Sequence, residues 1–150
     1  PKDDCYQDER GIALFVVDNL YKLLVNPTFN TTHLESVMIL LHYFLPRVNF
    51  KLLISLNIPE HMIKKCIGVL SGSSPSFLLT KYTIIILTEF LLGEEEPHWE
   101  GVETLLLLTL TGPSFERRES AKSILKILEK HTQICRRVAE FVKQVIESNF

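Results

Sequence analysis

Residues 97–128 read PHWEGVETLLLLTLTGPSFERRESAKSILKIL, and this stretch decides the fold. An apolar run from Val102 to Leu110 is followed by a Gly112–Pro113 break, after which a second helical pattern begins. Glycine and proline between two apolar runs are typical of a turn. Two helices joined by a tight polar turn form a hairpin, the unit that an α-solenoid stacks so that each unit buries its apolar face against its neighbours. The stretch therefore predicts a helical hairpin.

Helical periodicity continues along the rest of the chain. Apolar residues recur at spacings of three and four, and Gly, Pro, Asn and Ser separate the apolar runs. Thr32 and Glu35 have the spacing of a capping box, which marks a helix start. The run Ile84–Leu87 resembles a buried strand, but the length of its segment favours a helix. The predicted helices are 11–25, 32–45, 48–56, 59–70, 76–92, 97–110, 114–130 and 133–148.

The same periodicity predicts the buried sides of the first and last helices. The predicted apolar stripe of the first helix contains Ile12, Phe15, Val16, Asn19, Leu20, Leu23 and Leu24. The predicted core face of the last helix contains Ile134, Val138, Phe141, Val142 and Val145. Together the helices make about four hairpins, so we predict an all-α chain.

Composition narrows the class of protein. Of 150 residues, 46% are hydrophobic and 23% are charged, which is ordinary for a folded soluble protein. The formal net charge of −2 gives no global reason to expect a polyanionic partner. The 3 cysteines are far apart and odd in number, which argues against a disulfide framework and for a reducing compartment. We therefore expect an intracellular protein, cytoplasmic or nuclear.

The most apolar segment, 77–92, carries Lys81 and Glu89 and falls short of the roughly 20 apolar residues of a membrane span. We therefore expect no membrane contact.

Residues 1–10 are polar and acidic, and we expect this segment to be frayed. Residues 11–150 are predicted to form a single helical-repeat domain, because the Ser-rich loop 71–76 is too short to separate two domains. The chain opens at Pro1 without Met, and we expect a fragment of a larger scaffold.

The segment from Leu110 to Ala121, followed by Leu125 and Leu128, resembles the centre of a HEAT repeat. Arg118 stands at the Arg position of that repeat, Ala121 at its small packing position and Leu125 at its next core position. The resemblance implies a right-handed superhelical stack of HEAT- or armadillo-like hairpins. It also implies a non-catalytic scaffold that binds a protein partner in the groove formed by successive inner helices.

Two positions depart from the repeat pattern. Gly112 stands where an acidic residue is common, and Arg117 stands where Val is common. The unit 59–92 matches more weakly, with Lys81 near the Arg position. HEAT and armadillo units are not distinguished at this level, and a bundle of paired helices would show the same periodicity.

Motifs that carry chemistry are missing from the sequence. It contains no Gly-rich phosphate loop, no His-Glu-x-x-His, no Cys-x-x-Cys and no Gly-x-Ser-x-Gly. The 5 histidines are dispersed, without a neighbouring set of metal ligands. We therefore predict no catalytic residue, no metal site and no cofactor.

The sharper features of the sequence concern binding. Basic residues recur every four positions along the helix 114–130 and continue into the next helix, and we predict that they contact a partner together with the single tryptophan, Trp99. These residues are Arg118, Lys122, Lys126, Lys130, Arg136 and Arg137. The expected partner is a protein that presents an acidic or amphipathic peptide. The alternatives are a nucleic-acid or ribonucleoprotein backbone, a purely structural spacer, and a basic face that is merely solvated.

Overall fold

The computed structural model describes residues 9–72 and 76–149, and no strand occurs within these ranges. The helices are α1 Glu9–Val25, α2 Leu34–Phe44, α3 Phe50–Ser55, α4 Ile58–Ser71, α5 Phe77–Gly93, α6 Trp99–Thr111, α7 Ser114–Lys130 and α8 Cys135–Asn149. Short 3₁₀ turns span Thr31–His33, Leu45–Arg47 and Thr132–Ile134. The all-α prediction is confirmed, including a helix over the ambiguous run at 84–87.

Three expectations fall wholly or partly outside the described ranges. Most of the segment 1–10 lies outside them, although Glu9 and Arg10 belong to α1. Cys5 and the centre of the Ser-rich loop, residues 73–75, also lie outside them. Among the described helices, none is long and apolar enough to cross a membrane.

The start of α2 differs from the predicted capping box. Asn30 begins a 3₁₀ turn there, and its side-chain oxygen accepts a hydrogen bond of 3.0 Å from the Thr32 N–H. The Glu35 carboxylate instead accepts a hydrogen bond from the Ser76 hydroxyl. The capping-box prediction is wrong because Asn30, two residues before Thr32, already supplies the acceptor for the first free amide.

The chain divides into two compact units, with the boundary between Phe90 and Leu91 in the last turn of α5. In the first unit, α1 packs against α2, the Leu45–Arg47 turn and α4, while α3 packs against α4. The aromatic ring of Phe50 on α3 lies 6.2 Å from that of Phe90. Apolar side chains from all five helices form the core of this unit, among them Val17, Met38, Leu41, Leu53, Ile58, Met62, Ile84 and Leu87.

The predicted apolar stripe of α1 is partly wrong. The helix buries Ala13, Val17 and Leu24, whereas Ile12, Phe15 and Leu23 are exposed. Phe15 is 68% exposed although the sequence pattern places it in the core. Apolar residues occur on two neighbouring sides of this helix, and the unit buries only one of them.

The second unit is organised by α6 and α7, which pack closely along their length. Among the buried residues of these helices are two small ones, Gly101 in the first turn of α6 and Ser120 on α7. Aliphatic residues of α5 to α8 complete the core, namely Leu91, Val102, Leu105, Leu106, Ile124, Ile127, Ile134 and Val138. The predicted core face of α8 is covered in part, because Ile134 and Val138 are buried while Phe141, Val142 and Val145 are half-buried.

The assignment of Leu125 to the core is wrong. Leu125 is 64% exposed, and α7 instead buries Ser120, Ser123, Ile124 and Ile127. Ala121 is only half-buried. The helix is rotated by about one residue, roughly 100°, relative to the repeat-based prediction, because its small serines face the close contact.

The turn between α6 and α7 gives a test of the fold. The Gly112 N–H donates to the Leu108 carbonyl at 3.0 Å, and a Cβ on Gly112 would lie 2.6 Å from that oxygen. We expect Gly112→Ala to lower the free energy of unfolding by ~1–2 kcal/mol, because the turn must open to relieve this overlap. Urea denaturation measures the change.

Gly68→Ala is the matched control for this substitution. Gly68 lies within α4, and a Cβ there meets nothing within 4 Å. We expect this variant to raise the free energy of unfolding by about 1 kcal/mol, through the better helix propensity of alanine. Equal effects of the two substitutions would contradict the geometry of the turn.

Candidate binding surface of the second unit

Cationic residues lie on the solvent side of α7. An α-helix turns by about 100° per residue, so Leu125 lies roughly 160° around the helix axis from the buried Ile127 and faces solvent. An apolar strip of Ala121, Leu125 and Leu128 runs along this side, with the exposed Arg117 at one edge. The opposite edge carries Arg118, Lys122 and Lys126, all exposed. We call these seven residues the α7 face.

The cations of the α7 face are only weakly engaged within the protein. An Arg118 Nη1–H donates to the Ser114 hydroxyl at 3.0 Å. The Lys122 ammonium lies 3.2 Å from the Glu119 carboxylate, and the side chain of Lys122 is 69% exposed. An exposed ion pair of this kind contributes little to stability. Lys126 makes no hydrogen bond or ion pair with a described residue, so these charges remain available to a partner.

Lys130 does not share this position. Its ammonium donates a hydrogen bond to the Leu92 carbonyl near the end of α5. The buried His131 ring supports the same helix end, since its Nε2 lies 3.0 Å from the Leu91 carbonyl oxygen. Both bonds satisfy carbonyls that the last turn of a helix leaves without partners. The basic stripe that the sequence predicts therefore loses its last member to a contact within the second unit.

Trp99 and Arg137 meet each other. The Arg137 guanidinium lies 4.1 Å from the centroid of the Trp99 ring, in cation–π geometry. Phe141 packs edge-on to Trp99 with ring centroids 6.0 Å apart, and the Trp99 indole N–H donates to Glu103 at 3.3 Å. These contacts join α6 to α8. Arg136, next to Arg137, lies on the solvent side of α8.

A groove of about 300 Å³ adjoins the Trp99–Arg137 contact. Its lining consists of Trp99, Glu103, Arg137, Glu140, Phe141 and Gln144. Arg137 covers one face of the indole ring, and Glu103 accepts a hydrogen bond from its N–H. A partner that used Trp99 as an anchor would have to displace these contacts within the unit. We therefore centre the candidate surface on the α7 face.

The acidic loop before α6, residues 94–96, makes hydrogen bonds within the second unit. The Glu94 carboxylate accepts a hydrogen bond from the His98 backbone N–H at 3.1 Å and lies 2.7 Å from the His98 ring. The Gln133 amide donates to the Glu95 carbonyl and to the Glu96 carboxylate, each at 3.2 Å. The spacing of four residues between Glu94 and His98 was the sign in the sequence that these two side chains could meet.

Within the described ranges, no cluster of His, Cys, Asp and Glu could hold a metal ion.

The two described cysteines differ in environment. Cys66 is fully buried, and burial raises the pKa of its thiol to about 12. A thiol with this pKa stays protonated at neutral pH and is a poor nucleophile. Cys135 is exposed at the start of α8.

Comparison of the chain with protein-family models, with curated proteins and with solved structures finds no match. The HEAT or armadillo resemblance therefore stays a prediction.

The Trp99 contact can be tested by fluorescence, because Trp99 is the single tryptophan. We expect Arg137→Ala to shift its emission to longer wavelength, as water replaces the guanidinium. The variant should also lose about 1 kcal/mol of stability with the cation–π contact. Arg136→Ala, which removes an exposed neighbour, should change neither quantity. Identical emission spectra for the two variants would contradict the contact.

The cysteine environments predict selective labelling. In a Cys5→Ser variant at about pH 8, we expect a thiol reagent to modify Cys135 quickly and Cys66 only when the protein unfolds. Mass spectrometry over time, with and without urea, separates the two sites. Rapid modification of Cys66 in the folded protein would show that its thiol is accessible.

Proposed function

We propose that the chain is a non-catalytic protein-interaction module of a HEAT- or armadillo-like scaffold. Its α7 face binds an acidic, amphipathic helical segment of a partner protein. The observation that carries this proposal is the exposure of Leu125, at 64%, between cationic edges on the solvent side of α7.

The arrangement of the α7 face supports a peptide rather than an isolated anion. An amphipathic helix that binds to a groove or to a helix face contacts it through apolar residues spaced three and four positions apart. Ala121, Leu125 and Leu128 offer a complementary strip at those spacings. Carboxylates flanking the partner's anchors would meet Arg118, Lys122 and Lys126 along the edge. Apolar contact then supplies affinity, while charge sets the orientation and the association rate.

The α6–α7 hairpin supports the scaffold part of the proposal. Two packed helices joined by a short turn are the structural unit of helical-repeat proteins, whose successive units form a concave surface that binds partners. Within such a stack, α7 would pack against its neighbours through its buried side. Its exposed side, which carries the cations, would be accessible to a partner.

Selection from a random peptide-display library on the immobilised protein tests the proposal, because the library contains acidic, basic and apolar peptides without a bias toward any of them. We expect the selected peptides to be rich in Asp and Glu, with apolar residues at spacings of three and four. Leu125→Ser should weaken their binding by about tenfold, and Lys122→Glu with Lys126→Glu by a similar factor, as measured by fluorescence anisotropy. Leu107→Ser, on α6, and Lys143→Glu, on α8, are matched controls at exposed positions and should leave binding unchanged.

The same measurements separate the alternatives. A nucleic-acid surface would bind single- or double-stranded DNA with an affinity that falls steeply with salt, and Leu125→Ser would have little effect. If neither peptides nor DNA respond to charge reversal on α7, the cations are only solvated and the proposal fails.

A further inference from the structure

The groove beside the Trp99–Arg137 contact, which we call the Trp99 groove, combines aromatic rings with carboxylates. Trp99 and Phe141 supply the rings, while Glu103 from α6 and Glu140 from α8 supply the carboxylates. Aromatic ring faces and carboxylates both attract a cation, the first through the ring quadrupole and the second through a full charge. The lining therefore has the chemistry of a site for a positively charged group.

Neither carboxylate of the Trp99 groove is paired with a cation among the described residues. Glu103 accepts one hydrogen bond, at 3.3 Å, and its donor is the neutral indole N–H of Trp99. Glu140 is exposed and makes no hydrogen bond or ion pair with a described residue. Both carboxylates are thus accessible to a cation from outside the chain.

Arg137 shows which kind of cation the Trp99 ring accepts. Its guanidinium lies over the ring, 4.1 Å from the centroid. Arg137 is exposed, and it makes no hydrogen bond or ion pair with a described residue. A cation–π contact at an exposed site is weak, so Arg137 can move into solvent at a small cost. A guanidinium that also met Glu103 and Glu140 would be held more strongly, because charge-assisted hydrogen bonds would add to the ring contact.

We propose that the Trp99 groove binds an arginine side chain of a partner protein, whose guanidinium replaces that of Arg137 on the indole ring. The charge of this side chain lies between Glu103 and Glu140, and its methylene groups contact Phe141. The groove volume of about 300 Å³ is at the lower end of ordinary ligand pockets, which suits one side chain. Arg137 is then an internal competitor that occupies the ring until the partner binds.

An anionic ligand fits the Trp99 groove less well. It would gain the guanidinium of Arg137 but would face the two carboxylates of Glu103 and Glu140. The site lies on α6 and α8 and uses no residue of the α7 face, so it is independent of the proposed function.

Trp99 fluorescence tests the proposal, because the single tryptophan lines the groove itself. The probes are two blocked tripeptides, Gly-Arg-Gly and Gly-citrulline-Gly, which have nearly the same shape and differ in charge. We expect the arginine peptide to change the emission saturably and the citrulline peptide to bind at least about tenfold more weakly. A lysine peptide should bind a few-fold more weakly than the arginine peptide, because an ammonium group lacks the planar shape that stacks on a ring.

Single substitutions locate the binding. Glu140→Gln should weaken binding of the arginine peptide several-fold, whereas Glu129→Gln, at an exposed position on α7, should leave it unchanged. Arg137→Ala should tighten binding by about fivefold, because it removes the competing guanidinium. Arg136→Ala removes an equal charge from the solvent side of α8 and should change the affinity by less than about twofold at 0.15 M salt. Circular dichroism confirms that each variant remains folded, as expected for exposed positions.

Four outcomes would overturn the proposal. Emission that does not change saturably up to about 10 mM arginine peptide would exclude the site. Equal binding of the arginine and citrulline peptides would show that charge is not recognised. Weaker binding of the arginine peptide to the Arg137→Ala variant would show that Arg137 belongs to the site and does not compete for it. Binding of a Gly-Glu-Gly peptide that is lost in the same variant would assign the groove to an anion.

Discussion

The close contact between α6 and α7 determines what the second unit can present to solvent. Two small side chains on these helices are buried, Gly101 in the first turn of α6 and Ser120 on α7. The Ser120 hydroxyl has no hydrogen-bond partner among the described residues, so the approach leaves a buried polar group unsatisfied. Once Ser120, Ile124 and Ile127 face inward, the period of the helix places Arg118, Lys122 and Leu125 outward. The α7 face is thus a consequence of how the hairpin packs.

The helix boundaries could be predicted because local chemistry sets them. Gly112 and Pro113 separate α6 from α7, and α7 has the predicted limits, 114–130. The rotation of α7 could not be predicted in the same way. Apolar character favours Leu125 for the core, whereas the close contact with α6 selects the smaller Ser120 and Ser123. That choice depends on the shape of a neighbouring helix, which a single sequence pattern does not contain.

The candidate site, too, could be predicted where helix spacing alone sets it and could not be predicted where contacts between helices set it. The spacing of Arg118, Lys122 and Lys126 within one helix was enough to place them on a common surface. The contacts of Lys130 with Leu92 and of Arg137 with Trp99 join residues that are 38 positions apart in both cases. Such pairs depend on how α5, α6, α7 and α8 meet within the unit. The position of Lys130 in the last turn of α7 was the only local sign of a structural role.

In the first unit, α3 is fixed by local bonds and by the burial of one side of the helix. The Asn49 side chain caps α3 by accepting from the Lys51 N–H at 2.9 Å, and Asn57, at a φ of 59°, reverses the chain after it. Burial comes from Leu53, with Phe50 against Phe90. These local bonds and contacts hold the helix although Leu52, Ile54 and Leu56 are exposed. A helix of six residues can therefore be fixed by one side-chain cap, one chain reversal and one buried side, without burial of its other aliphatic side chains.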